Sequence, residues 1–380
     1  MRIVLCTQQF GNYWSGLGSY ATIIAKGLSD REIDLTIITP GDPVNGLDCQ
    51  YVKVSPSASD PTHGGWFSLS KQYARALKEI DADLIHFTDA REAYSYSGQI
   101  PAVGTLHDDY FARHRWVPWF YRQHYVDWMK RYAYYSFVNF TERKALRKLK
   151  ALIANSDATG ATIARRYGID TAKMETIYIQ PDLKPAQLDP DTEELRLKRK
   201  KLLFVGGNIQ RKGLPLVLEA MQSLIIKHPE IQLDILGKNQ NLGRMEQLAG
   251  KMGVKEYVNF KGWVPPEEIA KQYRDASIFL MPSLMEGYGL VYLEAMAQGL
   301  PVVAGDVGGT RELVRHLENG LLVDPQDSMS LQKSISTLLT DKDSRARVIE
   351  GGYRTVAGLD INQMVDQTLA FYERSVGGRT

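Results

Sequence analysis

The sequence predicts an α/β protein built from two Rossmann-like domains, and three observations carry that prediction. Short apolar runs alternate with stretches of helical periodicity through both halves, the pattern of parallel sheets covered by helices. The chain has 380 residues, more than one ordinary core accommodates. Near its middle, residues 180–191 are rich in proline and aspartate and lack periodicity, which reads as a linker. The expected division is a first domain over residues 1–182, a linker over 183–199 and a second domain over 200–360. A last helix is expected within 361–380, where Met364, Val365, Leu369, Phe371 and Tyr372 recur at helical spacing.

Apolar content of 44% and charge of 24% are those of a soluble globular protein. No apolar run reaches the ~18 residues that a membrane span needs. The N-terminal run is too short for a signal peptide and leads straight into the first predicted strand. Only Cys6 and Cys49 are present, so neither a disulfide framework nor a cysteine metal site is suggested. A cytoplasmic protein is expected on these grounds.

In chain order, the first strand is expected at 2–7. The turn after it holds Gly16 and Gly18 and enters a helix over 17–28, where ligands approach the carboxyl edge of such sheets. Those two glycines would let a diphosphate or an acceptor come close, but the third glycine of a dinucleotide fingerprint is missing, and an ordinary turn fits equally well. Further strands are expected at 34–39, 83–88, 102–107 and 151–155, with a helix over 67–80. His107 closes its strand at the carboxyl edge, and Asp108 behind it would orient the loop.

Residues 111–150 hold ten Lys and Arg against two acids, a surplus of eight in a chain whose formal charge is +2. Tyr121, Tyr125, Trp128, Tyr132 and Tyr135 recur at spacings of four and three, with Arg122, Lys130 and Arg131 near them. Two readings stay open. Either the stripe packs inward and the basic side is solvated, or it is an interfacial surface for anionic lipid or a phosphorylated acceptor. No recognised nucleic-acid module accompanies the charge.

The second half opens with a strand at 202–205, then Gly206, Gly207, Arg211 and Lys212 before a helix. Gly206 lets the loop approach a phosphate and Lys212 supplies a point charge, although a solvated lysine after a turn fits as well. Another strand end at 258–265 carries Trp263 and Val264. The apolar run 277–281 is a buried strand, and Leu290, Leu293, Ala297 and Leu300 mark a helix, so Gly287 and Gly289 fall between them. A helix start offers unpaired N–H groups and about half a positive charge. Glu286 before that start and Glu294 inside it would accept from hydroxyls. A ligand combining an anion with a polyol is a nucleotide sugar. Spacing alone also allows a capping Glu286 and a solvated Glu294.

The stretch Glu286-Gly287-Tyr288-Gly289-Leu290-Val291-Tyr292-Leu293-Glu294 resembles the signature of the retaining glycosyltransferases of the GT-B fold, family four. The resemblance continues through residues 295–304, 308–312 and 319–323. It implies two Rossmann-like domains facing across a cleft, with the last helix crossing back to the first. It further implies transfer of a sugar from a nucleoside-diphosphate donor to an acceptor hydroxyl of a carbohydrate or lipid-linked acceptor, with retention at the anomeric carbon. Glu286 and the backbone of Gly287, Tyr288, Gly289 and Leu290 would hold the sugar, and Glu294 the ribose diol. Lys212 and Arg211 would meet the diphosphate beside Gly206, and Gly16 and Gly18 would approach it from the first domain. His107 would touch the donor sugar, while Trp263 and Val264 would lie against the base. Glu286 and His107 are the expected catalytic residues. The family commonly has an arginine after the first glycine, where this chain has Gly207; Arg211 would replace that charge.

No metal and no cofactor is expected, since the family's usual proposal gives the acceptor proton to the donor's own phosphate. Peripheral contact with an anionic membrane through residues 111–150, on the inner face, is expected of the interfacial reading. A nucleotide-sugar epimerase and a non-catalytic nucleotide-sugar-binding protein are the alternatives, a phosphorylase would need a Schiff-base lysine, and a nicotinamide dehydrogenase is disfavoured by the incomplete glycine fingerprint.

Overall fold

The computed structural model describes the chain except for residues 12–14, 61, 63–64, 109–124, 188–189, 238–241 and 378–380, and except for the side chains of 125–128, 131, 190 and 266. It divides into two compact units, residues 1–181 with 360–380, and residues 182–359.

The first unit runs β1 (Arg2–Cys6), α1 (Gly16–Ser29), β2 (Asp34–Thr39), β3 (Gln50–Lys53), α2 (Trp66–Ala76) and β4 (Leu84–Phe87). It continues with β5 (Ala102–Leu106), α3 (Tyr125–Lys148), β6 (Ala151–Ala154), α4 (Asp157–Tyr167) and β7 (Met174–Thr176). A 3-10 turn, Ala90–Ser95, follows β4. The seven strands pair in parallel in the order β3-β2-β1-β4-β5-β6-β7. Strands β1, β4 and β5 are apolar runs buried along nearly their whole length, as strands covered on both faces must be.

The second unit runs α5 (Pro190–Arg199), β8 (Lys201–Val205), α6 (Leu214–Lys227), β9 (Gln232–Leu236), α7 (Leu242–Lys251) and β10 (Val258–Gly262). Then come α8 (Pro266–Asp275), β11 (Ile278–Met281), α9 (Leu290–Ala297), β12 (Val302–Gly305), α10 (Thr310–Leu313), β13 (Leu321–Val323), α11 (Ser328–Thr340) and α12 (Lys342–Ala357). Its six strands are parallel in the order β10-β9-β8-β11-β12-β13. The last helix, α13 (Ile361–Gly377), belongs to the first unit. Val365 of α13 fills the space that a side chain on Gly27 of α1 would need. The Tyr372 hydroxyl of the same helix meets His86 Nδ1 at 2.5 Å, and His86 Nε2 meets the Thr105 hydroxyl at 2.8 Å.

The expected linker over 183–199 requires correction, because its second half is helix α5. Two buried arginines hold this charged helix. Arg196 donates to the backbone carbonyls of Arg274, Gln298 and Gly299 at 2.8 Å each, closing the C-terminal ends of α8 and α9. Arg345 pairs with Glu193 and donates to the Ser277 carbonyl at 2.9 Å.

In each sheet one strand order reverses: β1 has β2 on one side and β4 on the other, and β8 likewise separates β9 from β11. Loops leaving the carboxyl ends of strands at such a point diverge and leave room for a ligand. The loops after β8 and β11 are those that carry Lys212 and Glu286.

Candidate active site

In the second unit, the loop after β8 and the loop after β11 are stitched together. Arg211 donates from Nη1 to the Met285 carbonyl at 2.7 Å, and the Leu284 N–H donates to the Arg211 carbonyl at 2.9 Å. Lys212 forms an ion pair with Glu286, and their side chains are only 13% and 10% exposed. The Ser283 hydroxyl donates to the same Glu286 oxygen at 3.3 Å. Paired charges this sheltered from water interact more strongly than surface pairs, and loss of either leaves the other uncompensated.

The helices on both sides of this pair begin alike. Gly213 precedes α6 with φ +88° and Gly289 precedes α9 with φ +99°, and no side chain caps either first turn. A side chain at Gly213 would collide with the Pro282 carbonyl oxygen at 2.1 Å, and one at Gly289 with the Tyr292 ring at 2.5 Å. Both positions therefore demand glycine on two counts, backbone conformation and space. At α6 the Leu214 N–H already donates to the Ile209 carbonyl at 2.9 Å and Pro215 has none, so α9 is the start whose first N–H groups, with the helix's partial positive charge, suit an anion. Gly206 lies across from the Lys212 side chain, whose Cγ would be 3.3 Å from a side-chain atom at that glycine.

Glu294 lies in the second turn of α9, half-buried, and accepts from the Tyr273 hydroxyl of α8 at 2.9 Å. Burial raises its carboxyl above the usual glutamate value, partly offset by the Tyr273 hydrogen bond. Gly287 and Tyr288 are buried and Leu290 is half-buried, so the turn presents chiefly backbone. The Gly309 N–H donates to the Glu286 carbonyl at 3.2 Å, tying this turn to the segment after β12. At the far end of the sheet, beyond β10, Trp263 is 55% exposed while Val264 is buried.

The first unit holds Gly16, Gly18 and His107. Gly16 begins α1, and the Gly18 N–H donates to the Ser15 hydroxyl at 2.9 Å, so this helix start is capped by its own chain. His107 donates from Nε2 to the Thr88 carbonyl, 2.6 Å away, so that nitrogen is the protonated one. Its ring meets Tyr20 edge-on at 5.0 Å. Burial lowers its pKa, opposed by Asp89, so the ring is neutral. The Asn155 side-chain amide holds the His107 carbonyl at 2.9 Å.

Sequence reasoning did not single out the acids beside it. Asp89 is buried with Arg91, whose Nε lies 3.0 Å from one carboxylate oxygen. Glu92 is fully buried and accepts from the Gln8 N–H at 2.9 Å. Burial, followed by the charge of Asp89, holds its carboxyl well above the usual range. No motif marks this group; only the adjacency of β1 and β4 brings Gln8 to Glu92. Tyr273 and Ser283 were missed as well, the first because a tyrosine in an amphipathic helix reads as core.

Of the expected site residues, Gly206, Arg211, Lys212, Glu286, Gly287, Tyr288, Gly289 and Leu290 share the two loops and helix starts at the β8/β11 edge. Glu294 sits on α9 beyond them, and Trp263 and Val264 end β10. Gly16, Gly18 and His107 are in the other unit. The described residues contain no group of three or more metal-ligating side chains, and no described helix is long and apolar enough to cross a membrane.

Residues 187–355 match the family model Glycosyl transferases group 1, and residues 14–179 match Glycosyltransferase Family 4. A D-inositol 3-phosphate glycosyltransferase of Corynebacterium urealyticum is 32% identical over 55% of this chain and 53% of its own length. The chain thus spans about half the length of that relative. A protein of the same name from Acidothermus cellulolyticus is 27% identical over 96% of this chain and 86% of its own. Among solved structures, sucrose-phosphate synthase from Thermosynechococcus elongatus has a TM-score of 0.80 at 21% identity, covering 98% of this chain and 99% of that one. Anabaena HepE, solved with UDP and glucose, has a TM-score of 0.74 at 20% identity over 97% and 99%. The fold is the GT-B fold. The two family matches together take in most of the chain, which belongs to the glycosyltransferases of family four.

Proposed function

We propose that this chain moves a sugar from a nucleoside-diphosphate donor to an acceptor hydroxyl with retention of anomeric configuration, and that the second unit binds the donor. The observation that carries this reading is the sheltered Lys212–Glu286 pair between two glycine-capped helix starts. It places a cation, the N–H groups at the start of α9 and a carboxylate side by side, which suits a phosphate attached to a polyol.

Lys212, Arg211 and the start of α9 meet the negative charge that builds on the diphosphate as the bond from the anomeric carbon to phosphate oxygen breaks. Glu286 and the Gly287–Leu290 backbone hold sugar hydroxyls as the ring gains oxocarbenium character. Glu294 accepts from the ribose diol, and Trp263 with Val264 borders the base. The acceptor oxygen bonds to the anomeric carbon and its proton passes to the departing phosphate, so the reading assigns no protein base and no metal. His107 is assigned to the donor sugar as a neutral hydrogen-bonding group.

The test is incubation with a panel of nucleoside-diphosphate sugars, UDP-glucose among them, and a panel of acceptors that includes inositol 3-phosphate. Nuclear magnetic resonance of fresh product should show the donor's anomeric configuration. An inverted product overturns the mechanism, and isomerised donor without acceptor points to an epimerase instead.

A further inference from the structure

Helix α3 has one side in the core and an opposite side that nothing above uses. Val138, Thr141, Glu142, Ala145 and Leu146 are buried, and Glu142 accepts from the Tyr167 hydroxyl at 2.6 Å. The other side runs Met129, Ala133, Ser136, Phe140, Arg143, Lys144 and Arg147 at three- and four-residue spacing, all exposed, so these residues share a face. Its N-terminal half is apolar: Phe140 is 55% exposed and Met129 51%, with Tyr132 on the flank. Its C-terminal half is cationic, and Arg143, Lys144 and Arg147 have no carboxylate partner among the described residues. The two halves meet where the Lys144 ammonium stands 4.4 Å over the Phe140 ring. The expected aromatic stripe therefore does not all pack inward: Tyr132 is exposed and Tyr135 half-buried, while Tyr121, Arg122 and the side chains of Tyr125, Trp128 and Arg131 lie outside the described residues.

Large apolar side chains in water beside uncompensated cations are costly on their own and complementary to one kind of partner. We propose that this face of α3 docks on an anionic lipid surface, with Met129, Tyr132 and Phe140 at headgroup depth and Arg143, Lys144 and Arg147 on the phosphates. Charge complementarity selects lipid over an ordinary protein patch, and the apolar half selects it over a nucleic-acid backbone, which would meet only the cations. None of these residues is assigned to the donor, so this inference does not depend on the donor reading.

Flotation of the full chain with vesicles tests it. The chain should float with phosphatidylcholine–phosphatidylglycerol vesicles at low salt, weaken at high salt, and stay behind with phosphatidylcholine alone. Arg143→Gln with Arg147→Gln should lower partitioning by about 25-fold, at roughly fivefold per cation. Phe140→Ser should lower the salt-resistant remainder by about tenfold. Unchanged melting would certify that the variants are folded, and the wild-type chain on the two vesicle types decides the matter if they are not. The proposal is overturned if the wild-type chain ignores anionic vesicles, or floats equally with both. It is also overturned if folded variants bind as wild type does, if an oligonucleotide binds more tightly than vesicles, or if the face proves to hold a dimer that Phe140→Ser dissociates.

Discussion

Two helix starts follow the strand-order reversal of their sheets and are built oppositely. Helix α1 in the first unit is closed by Ser15, whose hydroxyl accepts from the Gly18 N–H. Helix α9 in the second begins on Gly289 with no side-chain cap. Their acids differ in the same sense. Glu92 is fully buried and accepts from the Gln8 backbone, its carboxyl pushed well above the usual range, whereas Glu286 is ionically paired with Lys212. At the first edge the helix start is closed by a side chain and the acid meets backbone; at the second the helix start has no side-chain cap and the acid meets a lysine. The same parallel-sheet topology thus yields two differently built edges, and the distinction lies in a serine against a glycine and in where each acid finds its partner.

The largest effect expected from breaking this contrast is on turnover. Lys212→Ala and Glu286→Ala should each lower transfer by more than about tenfold, or ~1.4 kcal/mol of barrier, in steady-state rates with the donor that the panel identifies. Near-normal rates in both would remove the donor assignment. Next comes Gly289→Ala, which forces a side chain into left-handed backbone and onto the Tyr292 ring; a loss of about 1–3 kcal/mol in denaturant unfolding is expected. Ser15→Ala should cost about 1 kcal/mol of stability by the same measurement and leave donor affinity unchanged. A drop in donor affinity with Ser15→Ala would mean that the α1 edge is also a donor site.

Two pH experiments sharpen the comparison. Burial pushes His86 down to about 3, so the ring is neutral in the folded state and takes up a proton on unfolding. Stability should be unaffected above about pH 6.5 and fall below it, by up to about 1.4 kcal/mol per pH unit from this group. His86→Gln should remove that part of the slope in denaturant titrations between those values; an unchanged slope would place the proton elsewhere. In the second unit, burial raises Glu294 while Tyr273 holds it down. A carboxylate is the better acceptor for a diol, so donor binding should weaken as pH falls through a value above the ordinary glutamate range. Tyr273→Phe should move that midpoint upward in calorimetry, whereas a purely packing role for Tyr273 would leave it in place. The smallest effect concerns metal: a chelator should leave the transfer rate unchanged.

The sheet centres were legible because strands covered on both faces are continuous apolar runs, as at 202–205 and 277–281. Edge strands were not. Gln50–Lys53 mixes polar and apolar residues at the rim, and Met174–Thr176 is three residues long, so neither shows a period. Helix α5 was hidden in the linker because its lead residues are Pro and Asp and its hold on the fold comes from Arg196, a residue that normally signals solvent. Glycines at fixed offsets from Lys212 and Glu286 marked the two loops that the structure brings together after β8 and β11. The Asp89–Arg91–Glu92 group and the Tyr273–Glu294 bond depend on partners brought by tertiary structure, for which one sequence carries no sign.

The most direct test of the central claim is calorimetric titration of nucleoside diphosphates into the wild-type chain and into Lys212→Ala and Glu294→Ala. The account predicts saturable binding of at least one nucleoside diphosphate by the wild-type chain, weakened by about tenfold or more in each variant. Equal affinity in all three proteins, or no binding to any of them, would contradict the placement of the donor at the glycine-capped edge of the second sheet.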